Sequence, residues 1–309
     1  MIMIALLLTK QISELFIIMF FGYAMVKSRI LKTEDSKVLS VITLYLIISC
    51  VIINAFQIEY SAAVRDGLIL AFAAAFVVHI LFIVITKVLG KIFSFNSVER
   101  ASIIYTNAGN LIIPIVISVL GQEWVVYCSR YLIVQLIFIW SHGRMMICED
   151  KTFNIKKLLM NINMIASAAG MLLFVFHLQL PLIISETLGS VGSMIGPASM
   201  MNAGMIIAGM DLKRIVVLKR IYLVAFFIMI AVPIIILALF RFSGAAGLIT
   251  NGETVLLSSL LASIAPTAAS VTQMAQIYGK DAEYASAIYF LTTALCIVTM
   301  PLIVWLYQV

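Results

Sequence analysis

Two clusters of polar residues lie where an otherwise apolar sequence should exclude them. Thr106, Asn107, Gly109 and Asn110 precede Pro114 within one hydrophobic stretch, and Ser263, Ala265, Pro266 and Thr267 interrupt another about half a chain length later. Proline inside a helix removes a ladder hydrogen bond and clashes with the preceding turn, at a cost of about 3 kcal/mol. Amides in an apolar medium add a desolvation penalty unless something pairs with them. The chemistry such residues offer is recognition. Where a membrane helix unwinds, the freed N–H and C=O groups need side chains, water or a ligand. Thr106, Asn107 and Asn110 can serve the first break, and Gly109 tolerates backbone conformations that other residues resist. Ser258, Ser259, Ser263, Thr267, Ser270 and Thr272 supply hydroxyls around the second. Two half-helix N-termini meeting there would each carry about half a positive charge, and together could hold an anion without a fixed cation.

The elements that must position these residues follow from composition. With 63% hydrophobic and 11% charged residues, and a mean hydropathy of +1.15, the chain is no soluble globule. Hydropathy divides it into ten apolar stretches, near 4–26, 37–57, 66–88, 100–120, 122–147, 159–179, 186–210, 214–240, 253–275 and 283–307. The expected fold is an all-α integral membrane protein. No basic n-region or cleavage site marks a removable leader before the first stretch. The net charge of +6 does not point to nucleic acid, because the basic residues fall in short connecting loops.

Those loops also orient the chain. Lys27, Arg29, Lys32, Lys37, Lys87, Lys91, Arg100, Arg144, Lys151, Lys156, Lys157, Lys213, Arg214, Lys219, Arg220 and Lys280 belong to odd-numbered loops. Only Arg65, Arg130 and Arg241 belong to even-numbered ones, with Lys10 near the N-terminus. By the positive-inside rule the odd loops are cytoplasmic and both termini lie outside the cell membrane. Five spans, residues 1–157, precede a basic loop and five, residues 158–309, follow it, and the interrupted span is the fourth in each set. An odd number of crossings inverts the second set, giving a 5+5 inverted repeat with broken, crossing helices 4 and 9. Substrate sites of secondary transporters are built from such breaks.

At the first break the resemblance to a known family becomes specific. Asn107-Ala108-Gly109-Asn110-Leu111-Ile112-Ile113-Pro114 resembles the Asn-x-Gly-Asn-x-x-x-Pro signature of the auxin efflux carriers, in their prokaryotic permease branch. Gly22-Tyr23-Ala24-Met25 with Arg29-Ile30-Leu31, and the stretch from Ala265 through Tyr278-Gly279 to Pro301, are similar to that family too. The resemblance implies a scaffold of spans 1, 2, 6 and 7 and a moving unit of spans 3–5 and 8–10. It also implies a small organic anion, a carboxylate, as substrate, and a homodimer. One departure is the second span, where Leu46-Ile47-Ile48-Ser49-Cys50 lacks the usual proline, whereas Pro197 is kept in the seventh.

Other polar residues have two readings each. Ser49, Asn54 and Asn202 are candidates to line the pocket from the scaffold side; Asn54 and Asn202 could equally be interhelical hydrogen bonds worth about 0.6 kcal/mol. Glu14 is either an ion-coupling acid or the interfacial partner of Lys10. Gly192 and Gly196 can form a dimer seam or pack within the chain. Asp211 reads as solvated beside Lys213 and Arg214, and His79, His142 and His177 as packing or interface residues. Cys50, Cys128, Cys148 and Cys296 have neither metal nor redox spacing, so no metal or cofactor is expected beyond a coupling sodium ion or proton. No HExxH, GxSG-type nucleophile, intramembrane aspartate pair or phosphate-binding loop occurs, which argues against an enzyme or ATPase. The expected function is a secondary carrier for a small organic anion. The alternative is a sodium- or proton-coupled transporter similar to bile-acid symporters and sodium–proton antiporters.

Overall fold

A chain in hydrocarbon must satisfy its backbone polar groups internally, and a helix does this without help from neighbours. The computed structural model describes residues 2–57, 61–148, 156, 160, 162–210 and 219–309, and these are almost entirely helical. In chain order the helices are α1 (Ile2–Lys27), α2 (Thr33–Ala55), α3 (Ala62–Phe93), α4 (Ser97–Ile104), α5 (Ala108–Val119) and α6 (Gln122–Ile147). There follow α7 (Ile162–Val175), α8 (Leu182–Ala208), α9 (Lys219–Phe242), α10 (Gly252–Ser263), α11 (Ala269–Ile277) and α12 (Ala282–Gln308). Among the described residues six of these, α2, α3, α6, α8, α9 and α12, are long and apolar enough to cross a membrane. The stretches expected as spans 4 and 9 are each divided, into α4 and α5 and into α10 and α11, so no single piece of either has the length of a span.

Local sequence sets the helix ends. Ser61 caps α3 by accepting from Val64 N–H at 3.2 Å. Asn96 and Glu99 form a reciprocal capping box on α4: Glu99 N–H donates to Asn96 Oδ1 at 2.9 Å, and Asn96 N–H to Glu99 Oε2 at 2.7 Å. Asp281 caps α12 by accepting from Tyr284 N–H at 2.9 Å. The helices are also interrupted internally by π-turns at Thr43–Ile47, Ala108–Ile112, Ile139–Gly143 and Phe227–Ala231. The first loosens the helical ladder of α2 in a stretch that has no proline.

Most of the helix packing falls within two groups, which are joined where α1 packs on α12. α1 lies along α8, and α2 packs on both α7 and α8. α3 packs on α6 and α10, α6 on α10, and α12 on α11, α9 and α4. The crossing of α1 and α8 is the tightest: a Cβ on Gly204 would lie 1.8 Å from the Met19 carbonyl oxygen, and one on Gly22 2.0 Å from that of Met201. Only glycine lets the two backbones approach this closely. Gly192 faces Val51 and Gly196 faces Pro114 and Leu15, so both glycines are engaged within the chain. Arg130, grouped above with an extracytoplasmic loop, is instead buried along α6. The loop asymmetry survives without it.

Candidate functional site

The two interrupted segments meet. Thr106 and Thr267 form an isolated antiparallel bridge, in which Asn107 N–H donates to the Pro266 carbonyl at 2.7 Å and Ala268 N–H to the Tyr105 carbonyl at 2.9 Å. Each break thereby satisfies part of the backbone that the other has freed. Side chains finish the junction. The Thr106 hydroxyl donates to the Ala262 carbonyl at 2.7 Å, and the Thr267 hydroxyl donates to the Ser102 carbonyl at 3.0 Å. From α6, Gln135 clasps Thr106 on both sides: its Oε1 accepts the Thr106 N–H at 3.1 Å, and its Nε2 donates to the Thr106 carbonyl at 2.8 Å. Thr292 of α12 accepts the Thr267 N–H at 3.3 Å.

Beside this junction lies a cavity of about 220 Å³. On one side Asn107, Gly109 and Asn110 present the first turn of α5, and Ala268, Ala269 and Ser270 the first turn of α11. The leading N–H groups of a helix have no intrahelical partner, so both helix starts offer donors and the positive end of a dipole. Opposite them stand Ser40, Thr43 and Ile48 of α2, with Asn202 of α8. Leu132, Leu136, Ile139 and Met274 add apolar wall. Among the described residues, no acidic or basic side chain lines the cavity. Four lining atoms have no hydrogen-bond partner among the described residues: Asn107 Nδ2, Asn110 Oδ1, Thr43 Oγ1 and Asn202 Oδ1. A buried polar atom left unpaired costs about 1–3 kcal/mol, and a ligand bonded there recovers it. The site can therefore bind a small amphipathic molecule through neutral amides, hydroxyls and helix ends.

The expected site residues divide between cavity and brace. Thr106, Asn107, Gly109, Asn110 and Asn202 line the cavity. Ser263, Ala265, Pro266 and Thr267 are buried around the junction beside it, with the Ser263 hydroxyl bonded to the Leu260 carbonyl at 2.8 Å. Pro114 is not at the break but at the start of the regular helix that follows the π-turn, in reach of Gly196. Gly109 has no left-handed φ; its missing side chain leaves room beside Ile48 and Leu132.

The remaining candidates lie outside the lining. The Ser49 hydroxyl donates to Asn163 Oδ1 at 2.9 Å, and Asn54 Oδ1 accepts from Ser185 at 3.3 Å. Glu14 pairs with Lys10 at 3.8 Å on the exposed side of α1. Asp211 and Cys148 lie outside the residues whose structure or side chain is described. Gln135 and Thr43 were missed. A lone amide in the run Tyr131-Leu132-Ile133-Val134-Gln135-Leu136 was the available signal for the first.

Comparison with known proteins adds one finding. The family described as membrane transport protein matches residues 7–152, a segment that contains the first break and Gln135 but not the second break. No curated protein matches the chain.

Proposed function

Since the chain belongs through that segment to the auxin efflux carrier family of membrane transport proteins, we propose that it is a secondary carrier for a small organic anion, a carboxylate. The observation that carries this reading is the opening of two helix N-termini and the unpaired Asn107 Nδ2 donor onto one cavity that, among the described residues, has no acidic or basic side chain in its lining. A carboxylate accepts hydrogen bonds from amide N–H and helix-start N–H groups and is favoured by both dipoles. The proposed architecture has ten spans in a 5+5 inverted repeat, counting α4 with α5 and α10 with α11 as one span each, and both termini outside the cell membrane. The helix grouping supports a scaffold of α1, α2, α7 and α8 against a moving unit made of the rest. Because the cavity takes its walls from both groups, sliding one past the other would carry the bound anion between faces.

The test is uptake of radiolabelled mono- and dicarboxylates into proteoliposomes by the parent protein, Asn107→Ala and Asn110→Ala. Both variants should lose uptake while remaining folded; normal uptake in both would remove the site. A coupled cation is the second reading, favoured by the unpaired oxygens of Thr43, Asn110 and Asn202. Uptake that requires a sodium or proton gradient would select it.

A further inference from the structure

One buried charge stands beside the cavity without a role. Arg130 of α6 is only 3% exposed. A guanidinium presents five N–H donors in a rigid fork. Here Nε reaches only the Val126 carbonyl, at 3.5 Å, and Nη2 has no hydrogen-bond partner. The guanidinium carbon lies 4.3 Å from the ring centroid of Phe56. Among the described residues no carboxylate pairs with it, unlike Arg65 with Asp66 and Arg220 with Glu99. A cation withdrawn from water without a counter-charge is strongly disfavoured, and contact with an aromatic face offsets only part of that cost. Such groups inside membranes mark ion and substrate routes.

The position of Arg130 supports the same conclusion. Ile48, Ile52 and Phe56 recur every four residues along one face of α2 and its end. The first two line the cavity, and the third covers Arg130. The guanidinium thus lies roughly one helical turn, about 5 Å, beyond the cavity along the same stripe. Phe56 also packs on Phe174 of α7, with ring centroids 6.4 Å apart, whereas Arg130 belongs to α6. The charge therefore sits on the seam between the two helix groups.

We propose that Arg130 is a second anion station on the transport route, which binds a carboxylate through its fork when the groups shift and is covered by Phe56 in this conformation. The inference rests on the carrier reading above. Two parallel N–H donors match the two oxygens of a carboxylate, a geometry that lysine cannot reproduce.

The experiment is thermal unfolding of the purified full-length protein in detergent, titrated with sodium acetate against sodium isethionate at constant ionic strength. A ligand of the folded state raises the melting temperature by mass action. The parent should show a saturable rise with acetate. In an Asn107→Ala background, which weakens the cavity's share, a saturable rise should remain; adding Arg130→Met should abolish it, and adding Arg130→Lys should raise the acetate needed at least tenfold. Arg130→Met removes a buried charge while keeping an apolar stem, so it should fold; Arg130→Lys stands in if it does not. A parent indifferent to acetate, or an Asn107→Ala rise that survives the added Arg130→Met, overturns the station. A rise lost in Asn107→Ala but not in Arg130→Met puts the anion in the cavity, which sinks the station and leaves the carrier reading standing. Uptake unaffected by the cavity variants, with the Arg130-dependent rise intact, does the reverse.

Discussion

The two breaks look alike in sequence and do different work. At the second, hydroxyls are bonded to backbone: Ser258 to the Thr254 carbonyl, Ser263 to that of Leu260 and Thr267 to that of Ser102. Ser259 and Thr272 have no partner, but neither lines the cavity. At the first, Asn107 and Asn110 turn unpaired amide atoms into the cavity. A hydroxyl is short and readily reaches a carbonyl one turn back on its own helix. An asparagine amide carries both donors and an acceptor, and in these places it stays available to a ligand. On the proposed reading the second break is chiefly a brace that adds the first turn of α11 to the cavity wall, and the first supplies the receptor amides.

The comparison breaks most visibly at Gln135, which holds the receptor to the brace. Gln135→Leu leaves the Thr106 N–H and the clasped side of its carbonyl without their partner, and stability should fall by about 3 kcal/mol in a denaturant titration. A parent-like midpoint would mean that the clasp is incidental. Next in size is Asn107→Ala combined with Asn110→Ala. Their unpaired amide atoms have no internal bond to lose, so the melting temperature should stay near the parent's. Substrate affinity should fall at least tenfold, about 1.4 kcal/mol, by calorimetry. Thr267→Val should show the opposite pattern, losing about 1 kcal/mol of stability with transport retained. If Thr267→Val abolished transport at unchanged stability, the division into receptor and brace would be wrong.

A smaller effect concerns the cap that starts α4, ahead of the first break. Burial pushes the Glu99 carboxyl up, but hydrogen bonds from Arg220, Asn96 and Tyr284 outweigh it and hold it below the ordinary glutamate value. Arg220 Nη2 donates to Glu99 Oε2 at 3.0 Å, and the Tyr284 hydroxyl to Oε1 at 2.8 Å. A carboxylate with a depressed folded pKa stabilises fully above its unfolded value, and loses that contribution as pH falls through the folded one. The melting temperature should therefore be level above about pH 5 and drop below the usual glutamate range near 4.3. Glu99→Gln should weaken that drop. The smallest effect is expected from Pro114→Ala, within about 0.5 kcal/mol. This proline occupies the first turn of a helical segment, where the ring is tolerated.

That last expectation illustrates what sequence reveals and what it hides. The breaks were legible because Pro266 and the Asn107–Asn110 pair violate the apolar rule of a span, and the violation is local. Pro114 was the loudest signal, yet the chain unwinds several residues earlier, at Tyr105–Asn107, because the partner backbone of Pro266 and Ala268 meets it there. That partner is chosen by tertiary packing, which no window of neighbouring residues contains. Gln135 stayed hidden for the same reason: it acts on Thr106 from another helix, 29 positions away. The π-turn at Thr43–Ile47, which brings Thr43 to the cavity, has no proline to announce it.

The Thr106–Thr267 bridge also bears on how the protein is made. Its flanking bond from Thr267 to Ser102 joins residues 165 positions apart. At ordinary elongation rates of about 5–20 residues per second, the receptor segment enters the bilayer on the order of ten seconds before its brace is synthesised. During that interval the loosened turn must rely on translocon, lipid headgroups or water. Biogenesis, more than the finished molecule, is the stage at which substitutions in either segment should be least forgiving.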